Sequence, residues 1–271
     1  MITPHFVELN ITELCNRKCS FCPRAHGYPN LNLNMSIETA ELIRDQAKGF
    51  VATLHIVGRG EPLLHPDFLN ILKVFSKDFK IRIMTNGDKL HKCITEIHNI
   101  LNLNSRRHRI TICLYDDDDQ YYSLKKLFKD FSDISYYKTY DTGQATSDAQ
   151  FNKKHWITNR TGSLYTATKS EPCYIPLNRM YIDWDGSANL CCHDWTEKAT
   201  YGNVYESTLP EIYKNIINKY GKELIKGNRL CTKQCSNCDV SSFDPLKFVY
   251  KDWVEKQEKR IMYVSEELIN V

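Results

Sequence analysis

Hydrophobic and polar residues alternate along the first half of the chain in two distinct patterns. Short runs with apolar residues at every second position predict five strands, at 5–12, 51–58, 80–87, 108–116 and 134–141. Between them, apolar residues spaced three and four apart predict four helices, at 36–49, 67–78, near 89–101 and near 119–131. Strands and helices in this order form a parallel sheet through right-handed crossovers, so we expect an α/β fold.

The faces of these strands distinguish between two α/β folds. In the first strand Val7 and Leu9 alternate with Glu8 and Asn10, and the second strand places His55 on its polar face. A doubly wound sheet is covered on both sides, and its strands are apolar on both faces. A polar face that turns inward suits a barrel cavity instead. We therefore predict a shortened, partial parallel (β/α) barrel, with a solvated polar face as the alternative.

The second half of the chain is organised differently. A polar, turn-rich stretch carries one predicted strand at 155–158, and the following segment predicts a hairpin that turns at Asp185-Gly186. Residues 208–227 predict a helix, and residues 246–269 predict an amphipathic helical tail. We divide the chain into a barrel at 1–141, a linker at 142–172, a small cysteine-rich domain at 173–240 and a tail at 241–271.

Composition narrows the classes of function. The chain has 271 residues and a net charge of +3, which is too small to predict a nucleic-acid partner. Its sequence has no run of ~18 apolar residues and no secretory signal, so we expect a cytoplasmic protein without a membrane span. Eleven cysteines, mostly in two groups, are typical of bound metal in a reducing compartment.

The first cysteine group follows the first strand directly. Cys15, Cys19 and Cys22 have the spacing C-x3-C-x2-C. A structural zinc site needs four ligands, and His26 is a possible fourth donor. One interpretation is therefore a surface loop that binds zinc. Alternatively, three thiolates hold a cubane iron–sulfur cluster and leave one iron open to a further ligand.

This triplet and two later motifs resemble the radical S-adenosylmethionine (SAM) superfamily. GRGEPLLHP at 58–66 is similar to the family's GGEP motif, with Arg59 in place of its first glycine, and MTNGD at 84–88 is similar to its TNG turn. The resemblance implies that the triplet holds a [4Fe-4S] cluster whose open iron binds SAM. It implies cofactor contacts at Asn10, Phe21, Gly60, Glu61, Pro62, Thr85, Asn86 and Gly87.

The second cysteine group resembles the SPASM and Twitch auxiliary domains of the same superfamily. Cys173 and Cys191 flank the predicted hairpin, Gly186 lies five positions before Cys191, and the CSNC stretch adds Cys235 and Cys238. The resemblance implies that these four thiolates hold a second [4Fe-4S] cluster. A structural zinc ribbon is the alternative.

Two further cysteines leave the ligand set open. Neighbouring residues on a strand face opposite ways, so Cys191 and Cys192 should not both bind one cluster, and the glycine spacing favours Cys191. Cys231 repeats the x3, x2 spacing and could replace Cys235.

The resemblance implies a reaction as well as a fold. Reductive cleavage of SAM yields a 5′-deoxyadenosyl radical that takes a hydrogen atom from the substrate. A fully ligated second cluster could accept the remaining electron, which makes a two-electron oxidation. Similar proteins include an aminocyclitol dehydrogenase and anaerobic sulfatase-maturating enzymes. We therefore expect dehydrogenation of a sugar, cyclitol or other small polar substrate, with electrons from a flavodoxin- or ferredoxin-type donor.

Two residues are catalytic candidates. Arg160 lies in TNRTG at 158–162, where relatives carry a similar stretch, and would contact the substrate or act as the base; His55 would face the cavity. Three alternatives remain open at this point. The enzyme could modify a short peptide or a protein, it could be an epimerase, or the chain could be a zinc-binding interaction module.

Overall fold

A computed structural model describes residues 3–103, 106–138, 159–167, 170–195 and 200–240. Within these ranges eight strands form a single sheet. They are β1 (Phe6–Leu9), β2 (Thr53–Ile56), β3 (Lys80–Thr85), β4 (Arg109–Leu114), β5 (Ile134–Lys138), β6 (Arg179–Ile182), β7 (Ser187–Asn189) and β8 (Thr200–Asn203). The predicted strand at 155–158 and the predicted tail lie outside the described residues.

The helices begin at capping residues that the sequence supplies. They are α1 (Ile37–Ala47), α2 (Phe68–Ser76), α3 (Ile94–Leu101), α4 (Asp118–Leu127), α5 (Ile175–Asn178), α6 (Leu209–Ile216), α7 (Lys222–Ile225) and α8 (Lys233–Ser236). Ser36 Oγ accepts a hydrogen bond from the backbone N–H of Thr39 at 3.0 Å and starts α1. Thr208 and Glu211 form a capping box before α6. The π-helical turn Ile217–Gly221 joins α6 to α7.

The sheet confirms the predicted partial parallel barrel followed by a small cysteine-rich domain. Its strand order is β5-β4-β3-β2-β1-β6-β7-β8, and the pairs among β1 to β6 are all parallel. The hairpin of β6 and β7 is antiparallel and turns at Asp185-Gly186, as predicted. Sequence reasoning missed that β6 pairs with β1, so the cysteine-rich region extends the barrel sheet from the side of the first strand.

Because side chains alternate between the two faces of each strand, one face of the sheet forms the hydrophobic core and the other faces the cavity. Val7 and Leu9 of β1 are fully buried and belong to one hydrophobic cluster with Ile43 of α1 and Phe75 of α2. Glu8 lies between them in sequence and turns to the opposite side of the sheet, as the period of two requires. Across the described ranges, no helix combines the length and the apolar character that crossing a bilayer requires.

Candidate active site

A cavity of about 260 Å³ lies where the parallel strands end. Barrel sites form at this end of the strands. The loop after β1, the loop after β2, the ends of β3 and β4, and the segment after β7 all contribute. From the predicted residues the cavity collects Cys15, Cys19, Cys22, Phe21, Gly60, Glu61, Thr85, Asn86 and Arg160.

The cysteine loop is fastened to its neighbours by Arg17. Its guanidinium contacts Asp88 Oδ1 at 2.7 Å, in the loop after β3, and Asp116 Oδ1 at 2.6 Å, in the loop after β4. The hydrogen bond from Arg17 lowers the pKa of Asp116. Asp117, the next residue, accepts from the N–H of Gln120 and caps α4. Part of the acidic run at 116–119 therefore holds the cysteine loop, a role that sequence reasoning did not identify.

Glu61 joins the loop after β2 to the turn after β3. Its carboxylate accepts hydrogen bonds from Thr85 Oγ1 at 2.6 Å and from the N–H of Asn86 at 2.7 Å. Burial raises the pKa of Glu61 to about 7 despite these hydrogen bonds. Gly60 is required by close packing, because a Cβ there would lie 2.1 Å from the carbonyl oxygen of Thr12. Two of the predicted motifs thus form one hydrogen-bonded unit at the cavity.

Three predicted cofactor residues support the site without lining it. Asn10 Nδ2 donates to Asp183 Oδ1 at 2.6 Å, and its Oδ1 accepts from the N–H of Arg59 at 3.0 Å. Pro62 begins the short 3-10 helix after Glu61. Gly87 has a φ of 82° and forms the turn after β3. The cofactor contacts predicted for these three residues stay a prediction.

A buried ion network adjoins the cavity at Arg59. Arg59, which replaces the first glycine of the motif, contacts Glu13 Oε1 at 3.0 Å and Asp183 Oδ2 at 2.7 Å. Arg24 contacts the other oxygen of Glu13 at 3.2 Å. All four side chains are buried. Because Asp183 directly follows β6, Arg59 connects the GEP loop to the cysteine-rich domain.

The four predicted ligands of the second cluster meet in a separate pocket. Cys173, Cys191, Cys235 and Cys238 all line it, whereas Cys231 does not. Burial raises the pKa of Cys235 to about 12 and that of Cys238 to about 11, so these thiols hold protons that a bound metal must displace. The arrangement fits a group held by four thiolates.

The ligand atoms of the two predicted cluster sets are not tightly grouped in the structure. Zn–S bonds of ~2.3 Å bring thiolates within about 4 Å of each other. Among the described residues, the one set of three potential ligand atoms within 4.8 Å of one another is Cys191, Cys192 and His193. Neither predicted cluster set is that compact.

A thin wall separates the two pockets. Cys191 and Thr161 line the pocket of the four thiols, whereas their neighbours Cys192, His193 and Arg160 line the large cavity. Arg160 Nη1 lies 3.1 Å from His193 Nδ1, and Thr161 Oγ1 donates to the carbonyl oxygen of His193 at 3.0 Å.

Backbone strain accompanies this wall. Arg160 and Thr161 have φ values of 49° and 55°, which are uncommon outside glycine and cost about 1–3 kcal/mol each. Strain of this kind is typical of functional sites. Here it turns the two consecutive side chains into two different pockets.

The prediction that His55 faces the site is wrong. Its ring stacks on Phe6 at 3.8 Å between ring centroids, and it lines a different cavity of about 480 Å³ together with Arg82. That cavity lies at the amino-terminal ends of the strands. Its location gives no support to the catalytic role predicted for His55.

Comparisons with known proteins agree with this geometry. Residues 9–138 match the radical SAM superfamily, and residues 173–239 match the iron–sulfur cluster-binding domain SPASM. An S-adenosyl-L-methionine-dependent 2-deoxy-scyllo-inosamine dehydrogenase from Niallia circulans is 22% identical over 250 residues, which cover 86% of this chain and 92% of that protein. A GTP 3′,8-cyclase from Haemophilus ducreyi is 35% identical over 98 residues, but the match spans 33% of this chain and 28% of that enzyme.

A solved structure shares the fold. BtrN in complex with AdoMet and 2-DOIA superposes with a TM-score of 0.71 at 18% sequence identity, over 89% of this chain and 96% of that chain. The similarity extends through the barrel and the cysteine-rich domain together.

Proposed function

Because the chain belongs to the radical SAM superfamily and carries a C-terminal SPASM iron–sulfur domain, we propose that it dehydrogenates a small polar substrate of the sugar or cyclitol class. Its cofactors are SAM and iron–sulfur clusters, one of them auxiliary. Cys15, Cys19 and Cys22 would hold the SAM-binding cluster. The thiols of the second pocket would hold the auxiliary one.

When bound, these groups supply a 5′-deoxyadenosyl radical at the first site and an electron acceptor at the second. The chain's own residues then have three tasks. They must position SAM, bind the substrate and receive a proton. Glu61, Thr85 and Asn86 would perform the first task, and their location in the same cavity as the cysteine triplet supports that assignment.

One observation carries the proposal. The cavity that gathers the SAM motifs also contains Arg160, Cys192 and His193, which form the wall toward the auxiliary pocket. A substrate bound there would lie between the radical source and the electron acceptor. That order suits an oxidation. The dehydrogenase from Niallia circulans, which matches over 92% of its own length, supports the cyclitol class.

Arg160 is the residue we assign to substrate binding. Its Nη1 contacts His193, while its Nε is buried and has no hydrogen-bond partner among the described residues. A guanidinium keeps its proton in proteins, so it donates hydrogen bonds to a hydroxyl or an anionic group and does not serve as a base.

We extend the proposal to the reductant, which would be a flavodoxin- or ferredoxin-type protein.

The test uses anaerobically reconstituted enzyme with SAM, dithionite and a panel of deuterated cyclitols that includes 2-deoxy-scyllo-inosamine. We expect deuterium in 5′-deoxyadenosine and about one ketone for each SAM consumed. Replacing Arg160 with Ala should lower kcat/KM roughly 10- to 100-fold while substrate-free SAM cleavage continues. The exposed Arg107→Ala serves as the matched control. Cleavage of SAM without deuterium transfer from any cyclitol would contradict the proposal.

Epimerisation is a second candidate, and one observation favours it. Cys192 lines the substrate cavity, and in its protonated thiol form it would return a hydrogen atom to a substrate radical. The product would then be an isomer with one solvent-derived hydrogen and no ketone. The same panel distinguishes the two outcomes by product mass. Replacing Cys192 with Ala would abolish an epimerase but leave a dehydrogenase active.

A further inference from the structure

Glu8 is a buried carboxyl group on the floor of the substrate cavity. It lies in the middle of β1, lines the cavity, and is 3% exposed. Its Oε1 accepts a hydrogen bond from Arg179 Nη1 at 3.1 Å. Its Oε2 is buried and has no hydrogen-bond partner within the described ranges. A buried carboxyl oxygen without a partner is costly, and a native structure that keeps one calls for a reason.

We propose that Glu8 is the general base of the dehydrogenation and that its Oε2 receives the hydroxyl proton of the substrate. The inference rests on the proposed function. The hydrogen on carbon leaves as an atom to the 5′-deoxyadenosyl radical and gives 5′-deoxyadenosine. The hydroxyl proton passes to Oε2 and the C–O bond becomes C=O, and the auxiliary iron–sulfur cluster would be the oxidant that accepts the remaining electron.

Three other polar groups of the cavity, Glu61, Arg160 and Tyr181, are less suited to this task. Glu61 already accepts from Thr85 and from two backbone N–H groups. Arg160 keeps its proton. Burial raises the pKa of Tyr181 well above its ordinary value, so its neutral phenol is a poor proton acceptor. Glu8 combines an available oxygen with a location on the cavity floor.

The surroundings of Glu8 tune it toward this role. Burial raises its pKa to about 8, Arg179 opposes that rise, and Cys192 adds to it. Its register partners on the neighbouring strands are Tyr181 on β6 and His55 on β2. Burial keeps both of them neutral at physiological pH. A base with a pKa near the working pH is efficient, so ketone formation should increase as pH rises through about 8.

The decisive variant is Glu8→Gln, whose amide oxygen still accepts from Arg179 but cannot take a proton. The probe is 2-deoxy-scyllo-inosamine deuterated at the oxidised carbon. We expect deuterium transfer into 5′-deoxyadenosine to stay within about threefold of wild type, while ketone per 5′-deoxyadenosine falls roughly 100-fold or more. Glu8→Asp, which keeps a carboxylate, should recover part of the loss. Ketone yields within threefold of wild type in Glu8→Gln would overturn the assignment.

A second readout needs no turnover. In infrared difference spectra of the reconstituted full chain, wild type minus Glu8→Gln, the band of the protonated carboxyl should titrate with a midpoint near pH 8. A midpoint at the ordinary value of 4.5 would also overturn the assignment. A wild-type enzyme that oxidises no cyclitol refutes the proposed function itself, whereas ketone from both proteins refutes Glu8 alone.

Discussion

The buried ion network between the barrel and the cysteine-rich domain predicts how much stability is lost when one of its charges is removed. Asp183 accepts from Arg59 Nη1 at 2.7 Å and from Asn10 Nδ2 at 2.6 Å, and it is 2% exposed. The substitution Asp183→Asn keeps the shape of the side chain but removes its charge. Glu13 would then be the one remaining carboxylate for Arg59 and Arg24.

The expected loss follows from burial. Removing one partner of a buried ion pair costs about 3–5 kcal/mol, because the other charge stays desolvated without compensation. We take the lower end, about 3 kcal/mol, since the Asn oxygen still accepts a hydrogen bond and Glu13 still contacts Arg59. For a domain of about 150–250 residues, each kcal/mol shifts the unfolding midpoint by about 2–4 °C. The variant should therefore unfold about 6–12 °C lower.

The assay compares apparent thermal midpoints at equal iron content. Asp45→Asn is the matched control, because Asp45 forms ion pairs with Arg44 and Lys48 at the surface, where solvent screens them. Its midpoint should stay close to that of the unchanged protein. If the two variants unfolded together, the buried network would contribute no more than a surface pair, and our account of how the domains are joined would be wrong.

Three further predictions test the site. Cys191→Ala should lower the iron content from about eight to about four per chain, whereas Cys192→Ala should keep about eight; equal values would reject the ligand assignment. Gly60→Ala places a Cβ 2.1 Å from the Thr12 carbonyl oxygen, so calorimetry should find SAM binding weakened at least about tenfold, and unchanged binding would contradict the close approach. The pKa of Glu61 is raised from 4.5 to about 7, so the folded protein retains a proton that the unfolded chain releases. Its unfolding free energy should therefore fall as pH rises across that window, and Glu61→Gln should flatten the slope in denaturant titrations; identical slopes would exclude Glu61 as the cause.

The sequence predicts those parts of the site that depend on local pattern. Cys15 and Gly60 follow predicted strands and Thr85 lies near the end of another. Because the ends of parallel strands converge, their meeting at one cavity could be expected. His55 exposes the limit of the same reasoning. Alternation predicts which side of a strand a residue faces, but it does not say toward which end of the barrel the side chain points; the His55 ring stacks on Phe6.

Long-range pairs leave no local trace in the sequence. Arg59 and Asp183 are 124 positions apart, and neither lies in a periodic pattern that would connect them. The pairing of β6 with β1 was missed for the same reason, because the sequence of a short apolar strand does not indicate which strand it pairs with. Arg59 first looked like a departure from the family motif, and the structure gives it a partner in the other domain.

The wall between the two pockets explains why one short segment can serve two sites. Cys191 and Cys192 are consecutive, yet the first faces the four-thiol pocket and the second faces the cavity. Arg160 and Thr161 divide in the same way, at the cost of two left-handed residues. A substrate held by Arg160 would thus be separated from the auxiliary ligands by little more than one layer of backbone. This proximity is what an electron transfer from substrate to acceptor requires, and it is the physical reason to favour oxidation over a reaction that never uses the second pocket.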